Sequence, residues 1–71
     1  MKRAAALKKI RKAAKDAGVM YQEEERTRHT GLMVGQVRTT LGRHSEVAEG
    51  TAEALYKQLQ PALGKEWWKR R

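Results

Sequence analysis

One short stretch of the chain holds the residue types that phosphate chemistry requires. Residues 26–31 read RTRHTG, so that a histidine lies among cations. A histidine side chain titrates near neutral pH and can move a proton, and arginine binds phosphate oxygens. We therefore take His29 as the candidate for proton transfer and Arg26 and Arg28 as candidate phosphate ligands. The competing interpretation is an ordinary surface histidine on a strand.

Composition removes several other kinds of chemistry. The chain has no cysteine, which excludes a disulfide framework and a thiolate zinc site. Its two histidines are 15 positions apart and it has a single aspartate, which matches no ligand spacing, so we expect no metal or other cofactor. Ser45 is the only serine and follows His44 in a loop without an oxyanion motif.

Cleavage of RNA needs less machinery, because the 2′-hydroxyl is a nucleophile already in place. It requires proton transfers and stabilisation of an anionic transition state, and a positioned acid or base contributes about 100-fold to 10,000-fold. Strand alternation predicts that Thr27 shares the face of His29 and that Arg28 points away from it. The acidic residues 23–25 would oppose phosphate binding there.

The charge balance indicates a polyanionic partner. Sixteen Lys and Arg against eight Asp and Glu give a net charge of +8. Nucleic acid is the leading partner, because neutralising phosphates releases counterions. An acidic protein or an anionic membrane surface is the second interpretation, and a solvated basic surface is the third.

The chain length allows one domain, residues 1–71, which ends in a basic, tryptophan-containing tail from about residue 60. The basic start has no hydrophobic region of a signal peptide, and no segment approaches the roughly 18 apolar residues of a membrane span. We expect a soluble protein of the reducing cytoplasm that does not bind a membrane.

Residues 4–17 predict an amphipathic helix that Gly18 ends. Helical spacing places small and aliphatic residues on one face, namely Ala6, Leu7, Ile10, Ala13, Ala14 and Ala17. The opposite face carries five cations, which are the main candidates for binding the RNA backbone: Lys8, Lys9, Arg11, Lys12 and Lys15.

Three short antiparallel strands are predicted next. The first covers residues 19–29; the second covers 30–35, where Gly31 would allow a bulge; the third covers 37–41 after a turn at Gly35 and Gln36. A loop over residues 43–50 follows, in which Arg43 and His44 are further candidate RNA contacts.

A second amphipathic helix is predicted with Thr51 as its N-cap. Pro61 either ends it or lies in the first turn of a short helix over residues 62–68. Trp67 and Trp68 could stack on bases, but we favour at least one of them covering the sheet or an interface. The expected fold class is α+β in two layers, α-β-β-β-α, with the helices on one face of a three-stranded antiparallel sheet.

This order of elements, together with particular residues, resembles the HicA family of bacterial toxins over about residues 7–59. Members have a glycine at the end of the first helix, then Gly-Ser-His, a Pro-x-His loop, and Gly-Thr before a second helix. Here GV stands at 18–19, TRH at 27–29, GRH at 42–44, GT at 50–51 and LYKQL at 55–59. Thr27, Arg28 and Gly42 differ from the glycine, serine and proline of the family.

The resemblance implies the fold of a double-stranded-RNA-binding domain and a metal-independent mRNA endonuclease that depends on His29. It gives His44 a role in positioning the loop or contacting RNA. It also implies a HicB-type antitoxin protein as partner, and a homo-oligomer within the toxin-antitoxin complex is left open. A non-catalytic RNA-binding module and a basic protein-interaction domain are the alternatives.

Overall fold

The computed structural model describes residues 2–42 and 46–69, and it has two layers. Three antiparallel strands form a sheet in the order β1-β2-β3, and the helices pack on one of its faces. This architecture confirms the predicted fold class. The elements are α1 Arg3–Ala17, β1 Tyr21–Glu25, β2 His29–Val34, β3 Val37–Gly42, α2 Glu49–Gln58, α3 Gln60–Leu63 and a 3₁₀ turn Trp67–Lys69.

Helix α1 forms because its residues are strong helix formers, and it ends where glycine permits a left-handed conformation. Gly18 has φ 71° and its N–H donates to the carbonyls of Ala14 and Lys15. The predicted apolar face is largely confirmed, since Ala6, Leu7, Ile10 and Ala14 are buried while Ala13 is half-buried and Ala17 exposed. The five cations of α1 are exposed, as predicted.

The pairing of β2 with β3 follows from the predicted tight turn. Val34 lies opposite Val37, so Gly35 and Gln36 are the only connecting residues, and Gly35 has φ 59°. Along β2, Thr30, Leu32 and Val34 are buried beneath the helices, and the residues between them face the other way. The register continues without interruption through Gly31, so the bulge that this glycine would allow does not form.

Three predicted boundaries are wrong. Strand β1 ends at Glu25 and does not reach residue 29, because the chain turns back after it. Helix α2 begins at Glu49 with Ala48 as N-cap, where Ala52 N–H donates to the Ala48 carbonyl at 2.9 Å; Thr51 already lies inside the helix. Pro61 lies in the first turn of a short helix, α3, as one of the two alternatives predicted, but this helix does not reach residue 68, because Gly64 at φ 102° separates it from the 3₁₀ turn.

The two tryptophans have different environments. Trp67 is 5% exposed, donates from Nε1 to the Tyr56 carbonyl at 2.9 Å and packs edge-on against the Tyr56 ring at 5.0 Å. It is therefore a core residue, as favoured from the sequence. Trp68 is half-buried beside the same tyrosine.

None of the helices within the described ranges is both long and apolar enough to cross a membrane.

Two glycine substitutions should change stability in opposite directions. Gly35→Ala forces an L-residue to φ 59° and brings its Cβ to 3.3 Å from the Ala62 Cβ, so we expect the free energy of unfolding to fall by about 1–3 kcal/mol. Gly50 lies in α2, and a Cβ there would meet open space, so Gly50→Ala should raise the free energy of unfolding by up to about 1 kcal/mol. Urea denaturation measures both, and equal shifts would contradict this account of the turn.

Candidate functional site

A two-residue hairpin turn brings Arg26 and His29 directly opposite each other. The Arg26 N–H donates to the His29 carbonyl at 2.8 Å, one step beyond the Glu25 and Thr30 pair that ends the β1 and β2 register. Thr27 and Arg28 form the turn itself. Strand alternation therefore does not apply to Thr27, and the residue that shares the face of His29 is Arg26.

The sheet has one face that the helices leave uncovered. On β2, His29, Gly31 and Met33 point away from the helices, because Thr30, Leu32 and Val34 point towards them. Directly paired residues share a face, so the register extends this surface onto both neighbouring strands. We call it the open face; it consists of Gln22, Glu24, Arg26, His29, Gly31, Met33, Arg38, Thr40 and Gly42.

The absence of a side chain at Gly31 leaves a depression in the middle of the open face. A Cβ at Gly31 would lie 3.5 Å from Arg26 Nε, which shows that the arginine side chain lies over this glycine. Glu24 pairs with Gly31 from one side and Thr40 from the other. The depression has a volume of about 810 Å³ and is open to solvent. Glu24, Arg26, Gly31 and Thr40 line it, whereas His29 lies outside the lining, next to Arg26.

Arg26 also contacts the carboxylate of Glu24. The distance from Arg26 Nε to Glu24 Oε1 is 3.7 Å, and the side chains are 57% and 73% exposed. An exposed ion pair of this kind contributes only about 0–1 kcal/mol. A phosphate group can therefore compete with Glu24 for the guanidinium of Arg26.

A polar cluster on the opposite side of the sheet holds the base of this hairpin. Arg3 donates from Nη2 to the Thr30 hydroxyl and from Nε to the Gly42 carbonyl at 3.2 Å, and lies 3.7 Å from Glu25 Oε1. The Thr30 hydroxyl in turn donates to Glu25 Oε1 at 3.1 Å. Thr30 is fully buried, so this cluster fixes the strand pair that precedes Arg26 and follows His29.

The three consecutive glutamates do not form one negative patch. Glu23 faces the helices, where it accepts from the Tyr21 hydroxyl at 2.9 Å and lies 3.8 Å from Arg11. Burial, with the bond to Glu23 adding to it, raises the pKa of Tyr21, so this hydroxyl stays a donor. Glu25 belongs to the Arg3 cluster. Only Glu24 lies on the open face.

The cations of α1 lie on the other side of the molecule from His29. Their helix packs on the covered face of the sheet and exposes them outwards, and Lys9 extends over the Tyr56 ring with Nζ at 5.5 Å from its centroid. Arg28 is exposed in the turn near His29. Arg43 and His44, the remaining candidate RNA contacts, lie outside the described residues.

The sequence interpretation missed Glu24, Arg38 and Arg3. A two-residue turn between Arg26 and His29, combined with burial of Leu32 and Val34, would have placed Glu24 on the open face. Within residues 2–42 and 46–69 no group of three His, Asp or Glu side chains could hold a metal ion.

Comparisons of the chain with protein-family models, with curated proteins and with solved structures found no match.

The polar cluster should behave as one energetic unit. Thr30→Val and Arg3→Met should each lower the free energy of unfolding by about 1–3 kcal/mol, because each leaves partly buried polar groups without their partners. The double variant should lose less than the sum, with a coupling of at least about 0.5 kcal/mol in urea denaturation. Arg38→Met, on the exposed open face, is the control and should change stability by less than about 0.5 kcal/mol. Additive losses would contradict the cluster.

Proposed function

We propose that this chain is an RNA-cleaving toxin of the HicA type, a metal-independent endoribonuclease that acts on mRNA in the cytoplasm. The observation that carries the proposal is the placement of Arg26 opposite His29 on an exposed sheet face, beside a depression. Together they offer an imidazole for proton transfer and a guanidinium for the phosphate.

The chemistry of each group supports this assignment. The imidazole of His29 is exposed, so it can exchange protons with a bound phosphodiester. Arg26 presents a planar guanidinium that binds phosphate oxygens and stabilises the negative charge of the transition state. Arg28, in the adjoining turn, adds a second cation near the same position.

The overall charge supports RNA as the substrate. The net charge of +8 and the exposed cations of α1 favour binding to a phosphate backbone. A single strand bound at the open face would reach these cations by passing around the edge of the sheet.

The proposal includes a protein partner. A HicB-like antitoxin would block cleavage by covering the open face, and an acidic protein is suited to do so because Arg26, Arg28 and Arg38 lie on it or at its end.

A non-catalytic RNA-binding module on the same fold is the second candidate function. It is favoured by Thr27 and Arg28, which occupy the turn where the HicA family has glycine and serine. This module would bind RNA in a salt-dependent way and release no product.

The proposal predicts that cleavage depends on His29. In a chelator-containing buffer the parent should cut a labelled single-stranded RNA, and His29→Ala should cut it about 100-fold to 10,000-fold more slowly, because proton transfer is lost. RNA affinity should change little, since the phosphate contacts come from arginines and lysines. The readout is product formation on a denaturing gel.

Gln36→Ala, in the turn at the far end of the sheet, serves as the matched control and should cleave like the parent. Both substituted positions are exposed, so both variants should fold normally. Equal cleavage by the parent and His29→Ala would remove His29 from the mechanism. Salt-dependent binding without any cleavage by the parent would establish the second candidate.

A further inference from the structure

Cleavage of RNA through its 2′-hydroxyl requires two separate proton transfers. One proton leaves the 2′-oxygen as it attacks phosphorus, and another is delivered to the departing 5′-oxygen. The attacking and leaving oxygens lie roughly in line on opposite sides of the phosphorus. One imidazole cannot contact both at once, so the face that carries His29 needs a second group that moves protons.

Glu24 is the one carboxylate that the three strands place on the open face. It pairs with Gly31, and His29 pairs with Arg26, so Glu24 and His29 are diagonal neighbours across β1 and β2. The Cα atoms of diagonal neighbours on one face of an antiparallel pair lie about 7–8 Å apart, and their Cβ atoms lie somewhat closer. Gly31 adds no side chain between them, and the Arg26 side chain, which lies over this glycine, extends into the space between Glu24 and His29.

We propose that Glu24 is a second catalytic residue, the general base that acts opposite His29 as general acid. This inference rests on the proposed ribonuclease function. The carboxylate of Glu24 takes the proton of the 2′-hydroxyl as the 2′-oxygen forms a bond to phosphorus. The bond from phosphorus to the 5′-oxygen breaks, and His29 gives its proton to that oxygen. The products are a 2′,3′-cyclic phosphate and a free 5′-hydroxyl.

The roles follow from the ordinary chemistry of the two side chains. A carboxylate oxygen can accept a proton, and an imidazolium N–H can donate one. Arg26 connects the two steps. The guanidinium of Arg26 lies 3.7 Å from the Glu24 carboxylate. When a phosphate binds this guanidinium, the guanidinium moves away from Glu24, and the carboxylate can then face the 2′-hydroxyl.

The neighbouring Glu23 provides a matched control on the same strand. It carries the same charge one position away, but its side chain lies on the covered face, bonded to Tyr21 and close to Arg11. Glu24→Gln and Glu23→Gln therefore remove the same charge from the same strand, and only the first removes a proton acceptor from the open face.

The first experiment separates a base from an opposing charge. If Glu24 only repels the phosphate, Glu24→Gln should increase kcat/KM, because a negative charge near the substrate is gone. If Glu24 is the base, Glu24→Gln should lower kcat by about 100-fold or more without raising KM, whereas Glu23→Gln should keep kcat within about twofold. Circular dichroism confirms that each variant is folded.

The second experiment assigns the two roles with an RNA whose scissile 5′-oxygen is replaced by sulfur. A thiolate leaves without receiving a proton, so a variant that lacks only the general acid should regain activity on this substrate. His29→Ala should recover by about 100-fold or more relative to the parent, and Glu24→Gln should stay impaired, because the 2′-hydroxyl still needs a base.

Each result decides between the claims. Loss of kcat in Glu24→Gln with rescue of His29→Ala alone supports the inference. A parent that cleaves RNA while Glu24→Gln cleaves at least as fast overturns the role of Glu24 and leaves the proposed function standing. Rescue of Glu24→Gln in place of His29→Ala overturns the assigned roles. A parent that cleaves neither substrate overturns the proposed function and this inference together.

Discussion

The candidate site depends on the two-residue turn, Thr27 and Arg28, that connects Arg26 to His29. This turn places Arg26 opposite His29, and the same register places Glu24 opposite Gly31. A shift of one residue would turn every side chain of β1 to the other face of the sheet. Glu24 and Arg26 would then lie under the helices, and the histidine would face solvent without them.

The hydrophobic core determines which face of the sheet is left uncovered. Leu32 and Val34 pack against the helices, so His29 and Gly31 must face away from them. The residues at the base of the β1–β2 hairpin that face the helices, Glu25 and Thr30, are polar, so hydrophobic packing alone does not hold them. Arg3, at the start of α1, donates hydrogen bonds to the Thr30 hydroxyl and the Gly42 carbonyl. These bonds join the first turn of the helix to β2, which carries His29, and to β3. A domain of 71 residues has little stability to spare, so the geometry of the site and the folding of the chain depend on the same contacts.

Those parts of the fold that have local causes could be predicted from the sequence. Helix α1, its end at Gly18 and the turn at Gly35 each follow from residue types within a few positions. The turn at Thr27 and Arg28 carries neither glycine nor asparagine and lies in a charged stretch, so nothing local marked it. The role of Glu24 depends on that register, and the burial of Thr30 depends on Arg3, which is 27 positions away. Both depend on tertiary contacts, which the alternation of apolar and polar residues along a strand does not predict.

The central claim is that the open face of the sheet is the face that receives RNA. The most direct measurement is the change in backbone amide chemical shifts when the protein binds a short oligodeoxynucleotide, which lacks the 2′-hydroxyl and cannot be cleaved by this route. The account predicts the largest changes at Glu24, Arg26, His29, Gly31 and Thr40, with smaller changes along α1. Changes confined to the exposed side of α1, with none in the three strands, would contradict it.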